Sequence, residues 1–462
     1  MNVLLLMCDE MAPRPLWGPP PATPHLDALA ARGQVFDAAY TPSPICVSTR
    51  AAIAAGRPLH EIGFWSSAEP YDGSVASWGA RLRQAGVPTC SIGKLHYAAG
   101  AEREGFDESY EALNVFGEGW GRGLLRKPLC DYAPTAGMAE EIGPGETDYL
   151  KFDRRVTEKA VDWLGAPERR ERPWAAFVSW LSPHYPLIAP PEYYARFEPK
   201  AYESEAEPVP DHPILREIAE FFDHDPHFTR ESRGVARAGY YALWSFIDDQ
   251  VGAVLGALEA AGMAEDTLVL FTSDHGEMLG EKGFWAKSTM YESSARVPLS
   301  MAGPGVAPGR REDPVSLLDL APTICEVAGA ATAGLAGRSL LAPADPDRAV
   351  VSEYHDGGCP VGITMLRWND GAQKWKYVHY AEGWPAQLFE LSADPDETRD
   401  LAVEAPERVA AAKAKLFAIF DPEDANDRAH ADQARRVEEL GGREAILAEP
   451  QWNFTPADGA KA

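Results

Sequence analysis

The chain has no two cysteines at the close spacing of a zinc ribbon or a redox pair; its six (Cys8, Cys46, Cys90, Cys130, Cys325 and Cys359) are scattered. That speaks against a scaffold stapled by metal or disulfides. Positive charge is scarce: 43 Lys and Arg against 70 Asp and Glu leave a net charge of -27. A surplus of this sign repels nucleic acid and anionic membrane surfaces. Any anionic ligand must therefore be gathered by a local pocket of Arg, Lys, His and metal. Long apolar runs are missing too, and none is long enough to span a bilayer. The opening Met-Asn-Val-Leu-Leu-Leu-Met-Cys-Asp-Glu lacks a basic leader and a small-residue cleavage site. With thiols at no disulfide spacing, a cytoplasmic protein is expected. Neither an internal repeat nor a low-complexity tract is evident.

What is present is an ordinary globular composition over 462 residues, 45% hydrophobic and 24% charged. That length holds one large α/β unit and a smaller one. Val3 to Cys8 is a continuous apolar run, as in a parallel strand buried on both faces. Thr23-Pro24 opens a helix that Gly33 ends, and Gln34 to Ala39 reads as a strand. Helix Ser77 to Gln84 precedes strand Pro88 to Ile92; helix Asp153 to Leu164 precedes strand Trp174 to Trp180. Helix Arg230 to Ala261 precedes strand Thr267 to Ser273. This alternation predicts an α/β fold: a large mixed, mostly parallel sheet sandwiched by helices. Residues 198–225, rich in Pro, Glu, Asp and His, read as a long loop or lid. Four short strand-like runs follow Pro346 (Arg348 to Glu353, Ile363 to Trp368, Lys374 to Tyr380 and Gln387 to Leu391). With helix Pro406 to Phe420 they predict a small antiparallel sheet plus helix. The expected division is 1–345, 346–422, and a polar tail 423–462 with a weak helix near Asp432 to Leu440, docked on a neighbouring subunit of a homo-oligomer or mobile.

Chemistry-bearing residues gather at the expected strand ends. In Pro44-Ile-Cys-Val-Ser-Thr-Arg50, Cys46 and Arg50 share one side of a helix start, where free N–H groups attract negative charge. A guanidinium adds a two-pronged donor for an oxyanion or for the nucleophile. Asp9-Glu10 follows the first strand and Asp274-His275 follows strand Thr267 to Ser273. Ligands of open α/β sheets sit beyond the carboxyl ends of the strands, so both pairs project into one crevice. Two carboxylates and an imidazole suit a divalent ion, with Glu10 either a ligand or a supporting residue. Gly93-Lys94-Leu95-His96 follows a third strand and offers a cation and an acid/base. Ser182-Pro-His184-Tyr-Pro186 follows a fourth, and Lys287 lies a dozen residues past Asp274. Trp17, Trp120, Phe284 and Trp285 either line an aromatic pocket for an aryl or quaternary ammonium group or pack in the core.

These residues carry a resemblance. The first-strand Asp, Cys-x-x-x-Arg running into Ala-Gly-Arg, Gly-Lys-x-His, Pro-His-x-Pro and Ser-Asp-His-Gly-Glu-Met-Leu-Gly-Glu stand in the order found in type I sulfatases of the alkaline phosphatase superfamily. Gln-Leu-Phe-Glu-Leu-Ser-Ala-Asp-Pro-Asp-Glu-Thr, with Leu401, is similar to that family's C-terminal signature, so the match covers about residues 1 to 402. Met278 to Leu299 most resembles the choline-sulfatase-like and phosphonate monoester hydrolase-like branches.

The resemblance implies a sulfuric ester hydrolase with an alkaline phosphatase-like catalytic domain. Cys46 is then converted to formylglycine by a formylglycine-generating enzyme, and one hydroxyl of the hydrated aldehyde attacks sulfur. Asp9, Asp274, His275 and the modified Cys46 hold one divalent ion, calcium by analogy, with manganese fitting the same ligands. Arg50 orients the nucleophile. Lys94, Lys287 and His184 grip the sulfate, His184 or Lys287 protonates the departing alkoxide, and His96 is the base for the second hydroxyl. The sequence departs from the pattern at Ser48, where Pro or Ala is usual, and at Glu10, where Asp or Gln is usual. The substrate implied is a small organic sulfate, choline sulfate by branch similarity. Alternatives are a phosphonate monoester or phosphodiester hydrolase with the same site, and an oxyanion-binding pseudoenzyme.

Overall fold

A strand that is apolar on both faces has to be covered on both. In the computed structural model, which describes residues 1–117, 119–132 and 135–448, the first strand, β1 (Asn2–Asp9), is buried along its whole length. It lies within an eight-stranded sheet with β2 (Gln34–Phe36), β3 (Thr89–Ala98), β4 (Glu108–Val115), β5 (Ala175–Pro183), β6 (Thr267–Ser273), β7 (Leu299–Ala302) and β8 (Gly309–Arg311). Their spatial order is β8-β2-β7-β6-β1-β5-β3-β4. Strands β6, β1, β5, β3 and β4 run parallel, while β7 is antiparallel to both neighbours. Alternate residues of β1 divide between two cores. Leu4, Leu6 and Cys8 pack with helices Asp148–Gly165 and Arg230–Ala260. Val3, Leu5 and Met7 pack with helices Cys46–Ala55, Trp78–Gln84 and Leu320–Ala328.

Several elements run further than the local pattern predicts. Strand β3 continues through Gly93-Lys94-Leu95-His96, which therefore lies inside the strand rather than after it. The pairing with β4 slips on either side of Lys94, a bulge that re-aims side chains. Gly93 makes this feasible: its φ is 102°, and a Cβ there would stand 2.0 Å from the Ser179 carbonyl. Strand β5 runs past Trp180 to Pro183. The helix expected from Asp153 starts at Asp148, because Thr147 accepts the Leu150 N–H at 3.2 Å and caps it there. The expected strand Gln34 to Ala39 breaks after Phe36 and resumes at Ala39–Tyr40.

The 198–225 segment is not a structureless lid. It contains helix Pro213–Phe222, with Pro at its start and Ile214, Leu215, Ile218 and Phe221 buried. That spacing is a helical apolar stripe, hidden in the sequence by flanking Pro, His and Asp.

Strands Ala349–Tyr354, Ile363–Asp370, Gln373–Tyr380 and Gln387–Glu390 form an antiparallel sheet in chain order. Helix Pro406–Phe417 covers one face through Ala412 and Leu416. The other face packs Ile363, Met365 and Val378 against Tyr40, Ile45, Met290 and Tyr291 of the larger unit. The tail forms helix Pro422–Glu439, longer than expected, with Asp421 accepting the Glu423 and Asp424 N–H groups. It packs on its own chain: Asp432 accepts the Trp65 indole N–H at 3.0 Å, and Gln433 accepts from Arg126 at 3.1 Å. Residues 449–462 of that tail lie outside the described residues. Among the described residues no helix is long and apolar enough to cross a membrane.

Candidate active site

Because β3, β5, β1 and β6 are parallel neighbours, their carboxyl ends meet at one rim, and the charged residues predicted there converge. Asp9 closes β1 and Asp274-His275 follows β6. His275 Nε2 lies 3.6 Å from Asp9 Oδ1 and 3.8 Å from Asp274 Oδ1. One ligand atom from each of the three comes within 4.8 Å of the others, and all three residues are buried. Neither Cys46 nor Glu10 belongs to that converging group. Asp9 Oδ1 and His275 Nε2 have no hydrogen-bond partner, although burying such atoms unpaired is costly. His275 Nδ1 faces the Gly276 carbonyl at 3.0 Å, which makes Nδ1 the donor and leaves Nε2 a lone pair. Orphaned carboxylate and imidazole acceptors at this separation fit a divalent cation.

Cations surround the cluster. Lys94 Nζ pairs with Asp9 Oδ2. Arg50 donates from Nε to Asp274 Oδ2 at 2.8 Å, and from Nη1 to the Lys94 carbonyl at 2.7 Å and Ser179 Oγ at 3.0 Å. Its Nη2 has no hydrogen-bond partner. Cys46 is the first residue of helix Cys46–Ala55, which is buried throughout and closed by Gly56 at φ 62°. Burial raises the Cys46 thiol pKa, while Lys94 and Lys287 pull it down. Ser48, on the same helix, is buried with its hydroxyl unpartnered.

On the other side, Lys287 Nζ stands 2.8 Å from His184 Nε2 and 3.3 Å from Glu10 Oε1; His184 Nε2 is 3.2 Å from Glu10 Oε2. His184 Nδ1 donates to the Tyr185 carbonyl at 2.7 Å, so Nε2 is the acceptor that meets Lys287. Burial, with help from Lys287, takes the His184 pKa down to about 4 against the opposing pull of Glu10. Burial also disfavours the Lys287 charge, but Glu10, Cys46 and Asp9 outweigh it and hold the ammonium protonated. Glu10 is pushed up to about 7, by burial first, with His184 and Lys287 opposing. His96, in the bulged strand at φ 55°, is held well below the usual histidine range by burial and by Lys94 and Arg50.

Supporting residues that sequence reasoning missed lie just behind. Asp153 accepts the Leu181 and Ser182 N–H groups at 2.7 and 2.9 Å, fixing the chain that presents His184. Glu277 accepts the Leu279 and Ala286 N–H groups at 2.7 and 2.6 Å, shaping the turn that presents Lys287. The Tyr149 ring stands 6.3 Å from the His184 ring. Glu277 stood within the quoted Ser-Asp-His-Gly-Glu run, whereas Asp153, Ser179 and Tyr149 had no local signal. The aromatics settle toward packing. Phe284 is core, Trp285 stacks on Phe228 at 3.7 Å, Trp17 lies under Arg237, and Trp120 joins the Leu124–Phe221 cluster.

A buried residue at a helix start, a cluster suited to a divalent ion and a lysine–histidine pair form the kind of rim that hydrolyses anionic, tetrahedral esters. Comparison with known proteins narrows that class. The sequence model described as Sulfatase matches residues 1–330, and one described as N-sulphoglucosamine sulphohydrolase, C-terminal, matches residues 280–417. The chain is 33% identical over 427 residues to choline-sulfatase of Rhizobium meliloti (strain 1021), covering 87% of this chain and 82% of that protein. It is 31% identical over 445 residues to arylsulfatase K of Danio rerio, covering 88% and 81%. The solved phosphonate monoester hydrolase of Agrobacterium radiobacter matches with a TM-score of 0.73 at 24% identity, covering 90% of this chain and 95% of that one; this likeness speaks for the fold. The chain belongs to the sulfatase family, with the alkaline phosphatase-like fold, and is a sulfuric ester hydrolase.

Proposed function

We propose that this sulfatase cleaves a small organic sulfate ester, with residue 46 acting as formylglycine. The observation that carries the reading is the convergence of Asp9, Asp274 and His275 with Lys94, Arg50, His184 and Lys287 beside Cys46 on one rim. Asp9, Asp274 and His275 would hold a divalent ion, calcium or alternatively manganese, which would supply positive charge to offset that of the nucleophile and the sulfate. A formylglycine-generating enzyme is the partner that conversion of Cys46 requires. The six cysteines are unpaired, which supports a reducing, cytoplasmic setting.

The chain's own groups divide the remaining work. Arg50 is locked through Nε and Nη1, and its unpartnered Nη2 is the donor available to orient residue 46. Lys94 and Lys287 bring two ammonium groups to a sulfate that the overall charge repels. Lys287 stays protonated and donates to the Nε2 lone pair of His184, so the pair holds a proton where the alkoxide departs. His96, kept neutral, serves as the base for the second hydroxyl. Phosphonate monoesters and phosphodiesters present a similar tetrahedral anion and are slower side substrates. The Gly-Lys-Leu-His block favours sulfate.

Peptide mass spectrometry on residue 46, run beside rates on an aryl sulfate, a phosphonate monoester and a phosphodiester, tests the reading. The expected result is an aldehyde at position 46 and fastest turnover of the sulfate. A free thiol in fully active protein overturns the formylglycine assignment; a phosphodiester turned over fastest overturns the sulfate one.

A further inference from the structure

Lys376 lies in strand Gln373–Tyr380 of the small sheet and is 0% exposed. Its Nζ stands 2.7 Å from Glu292 Oε1 and 2.8 Å from Glu397 Oε1, and donates to the Met290 carbonyl at 2.8 Å. Glu397 closes the ring by accepting the Glu292 N–H at 2.7 Å. Tyr40 donates its hydroxyl to Glu292 at 3.0 Å and receives a bond from Arg367 Nε at 3.1 Å. Replacing a buried ion cluster of this kind by apolar residues is often neutral or stabilising, so stability alone is a weak reason for it. What it does hold is backbone: Lys376 grips the Met290 carbonyl and Glu397 the Glu292 N–H.

That backbone is the far end of the turn that aims Lys287. Ala286 and Ser288, on either side of Lys287, have φ values of 59° and 78°, a left-handed conformation that strains non-glycine residues. Such a turn persists only if both ends are held. The near end is bonded to Glu277, and Ser288 donates to the Pro44 carbonyl at 3.2 Å, two residues before Cys46. The far end is bonded to Lys376 and Glu397.

We infer that Lys376 is a positioning residue: through Met290 and Glu292 it holds the strained Ala286–Ser288 turn so that Lys287 meets His184 and Glu10. The inference deepens the proposed reading and rests on it for its kinetic test. Displacing a group by about 1 Å costs roughly a hundredfold in rate. Lys376→Met is therefore expected to lower kcat on an aryl sulfate roughly that much with KM little changed, and more for poor leaving groups than for good ones. Combined with Lys287→Ala, the Lys376 substitution is expected to add nothing further, because it acts through a group already removed. Independent, multiplicative losses in the double variant overturn the inference. If Lys376→Met fails to fold, the combination Lys376→Met, Glu292→Gln, Glu397→Gln, which removes all three charges of the ring together, is tested in its place. A wild-type chain that turns over no sulfate ester sinks the functional reading alone. The positioning claim is then decided by a crystal structure of the variant, where loss of the Lys287–Glu10 contact supports it and an unmoved turn overturns it.

Discussion

The rim of the large sheet and the core behind the small sheet both bury charge, but they leave it in opposite states. Around Lys376, each carboxylate has the ammonium within 3 Å, and the ring closes on backbone. At the rim, Asp9 Oδ1, His275 Nε2 and Arg50 Nη2 are left without hydrogen bonds, and the Glu10 carboxyl shares two partners that also contact each other. Glu397 Oε1 in the Lys376 ring also lacks a well-directed hydrogen bond, but the ammonium 2.8 Å away balances its charge. A cluster paired in charge holds geometry, while one with unpaired acceptors is ready to accept a ligand.

Chelation should separate the two regions most widely. Removing divalent ions with a chelator is expected to lower sulfate turnover about a thousandfold, the several kcal/mol that such a cation contributes, with recovery on adding calcium or manganese. Hydrogen exchange over Gln373–Tyr380 is expected to stay unchanged meanwhile. Activity that survives chelation, or exchange that rises in the small sheet, removes the distinction.

The two regions also differ in their response to pH. Glu292 lies at about 2, because Lys376 and Arg296 outweigh a burial effect that alone would raise it. A depressed carboxyl stabilises the fold fully above its unfolded value near 4.5, and that contribution is lost as pH falls toward 2. Glu10, raised to about 7, behaves in the opposite sense: its contribution is full below about 4.5 and is lost as pH rises through 7. Each amounts to roughly 3 kcal/mol. Urea midpoints of chelated protein check both. Glu292→Gln is expected to flatten the acid limb and Glu10→Gln the limb from pH 5 to 8; the reverse pattern means that these two carboxyls are not shifted in these directions.

The smallest expected effect is at Ser48. Its buried hydroxyl has no partner, so Ser48→Ala is expected to stabilise by roughly 0.5–1 kcal/mol, through relief of an unsatisfied group and better helix propensity. A thermal scan that shows destabilisation means the hydroxyl has a bond with buried water.

Much of the site was legible because strand ends and helix starts are local. An apolar run that stops at Asp9, another that stops before Asp274, and a cysteine followed by small residues up to Gly56 each carry their meaning within a dozen residues. The strand carrying Lys94 and His96 runs further than its apolar pattern indicates, since its continuation depends on pairing with Glu108–Val115 and on a bulge at Gly93. The helix Pro213–Phe222 was hidden by its polar flanks, although its apolar stripe was present. Asp153 was unreadable as a support for His184, because the bonds that join them cross some thirty residues.

Local sequence carries the inventory: which strand termini bear carboxylates, which helix begins with cysteine, and which family the ordered motifs indicate. Those are properties of neighbours along the chain, where hydrophobic period, capping and backbone preference act over a few residues. That β1 lies between β5 and β6, that His184 meets Lys287, and that a lysine from the small sheet grips the loop beyond it emerge only on folding. Those outcomes depend on strand order and on burial of charge between distant segments, and such energies have no value until the segments are in contact.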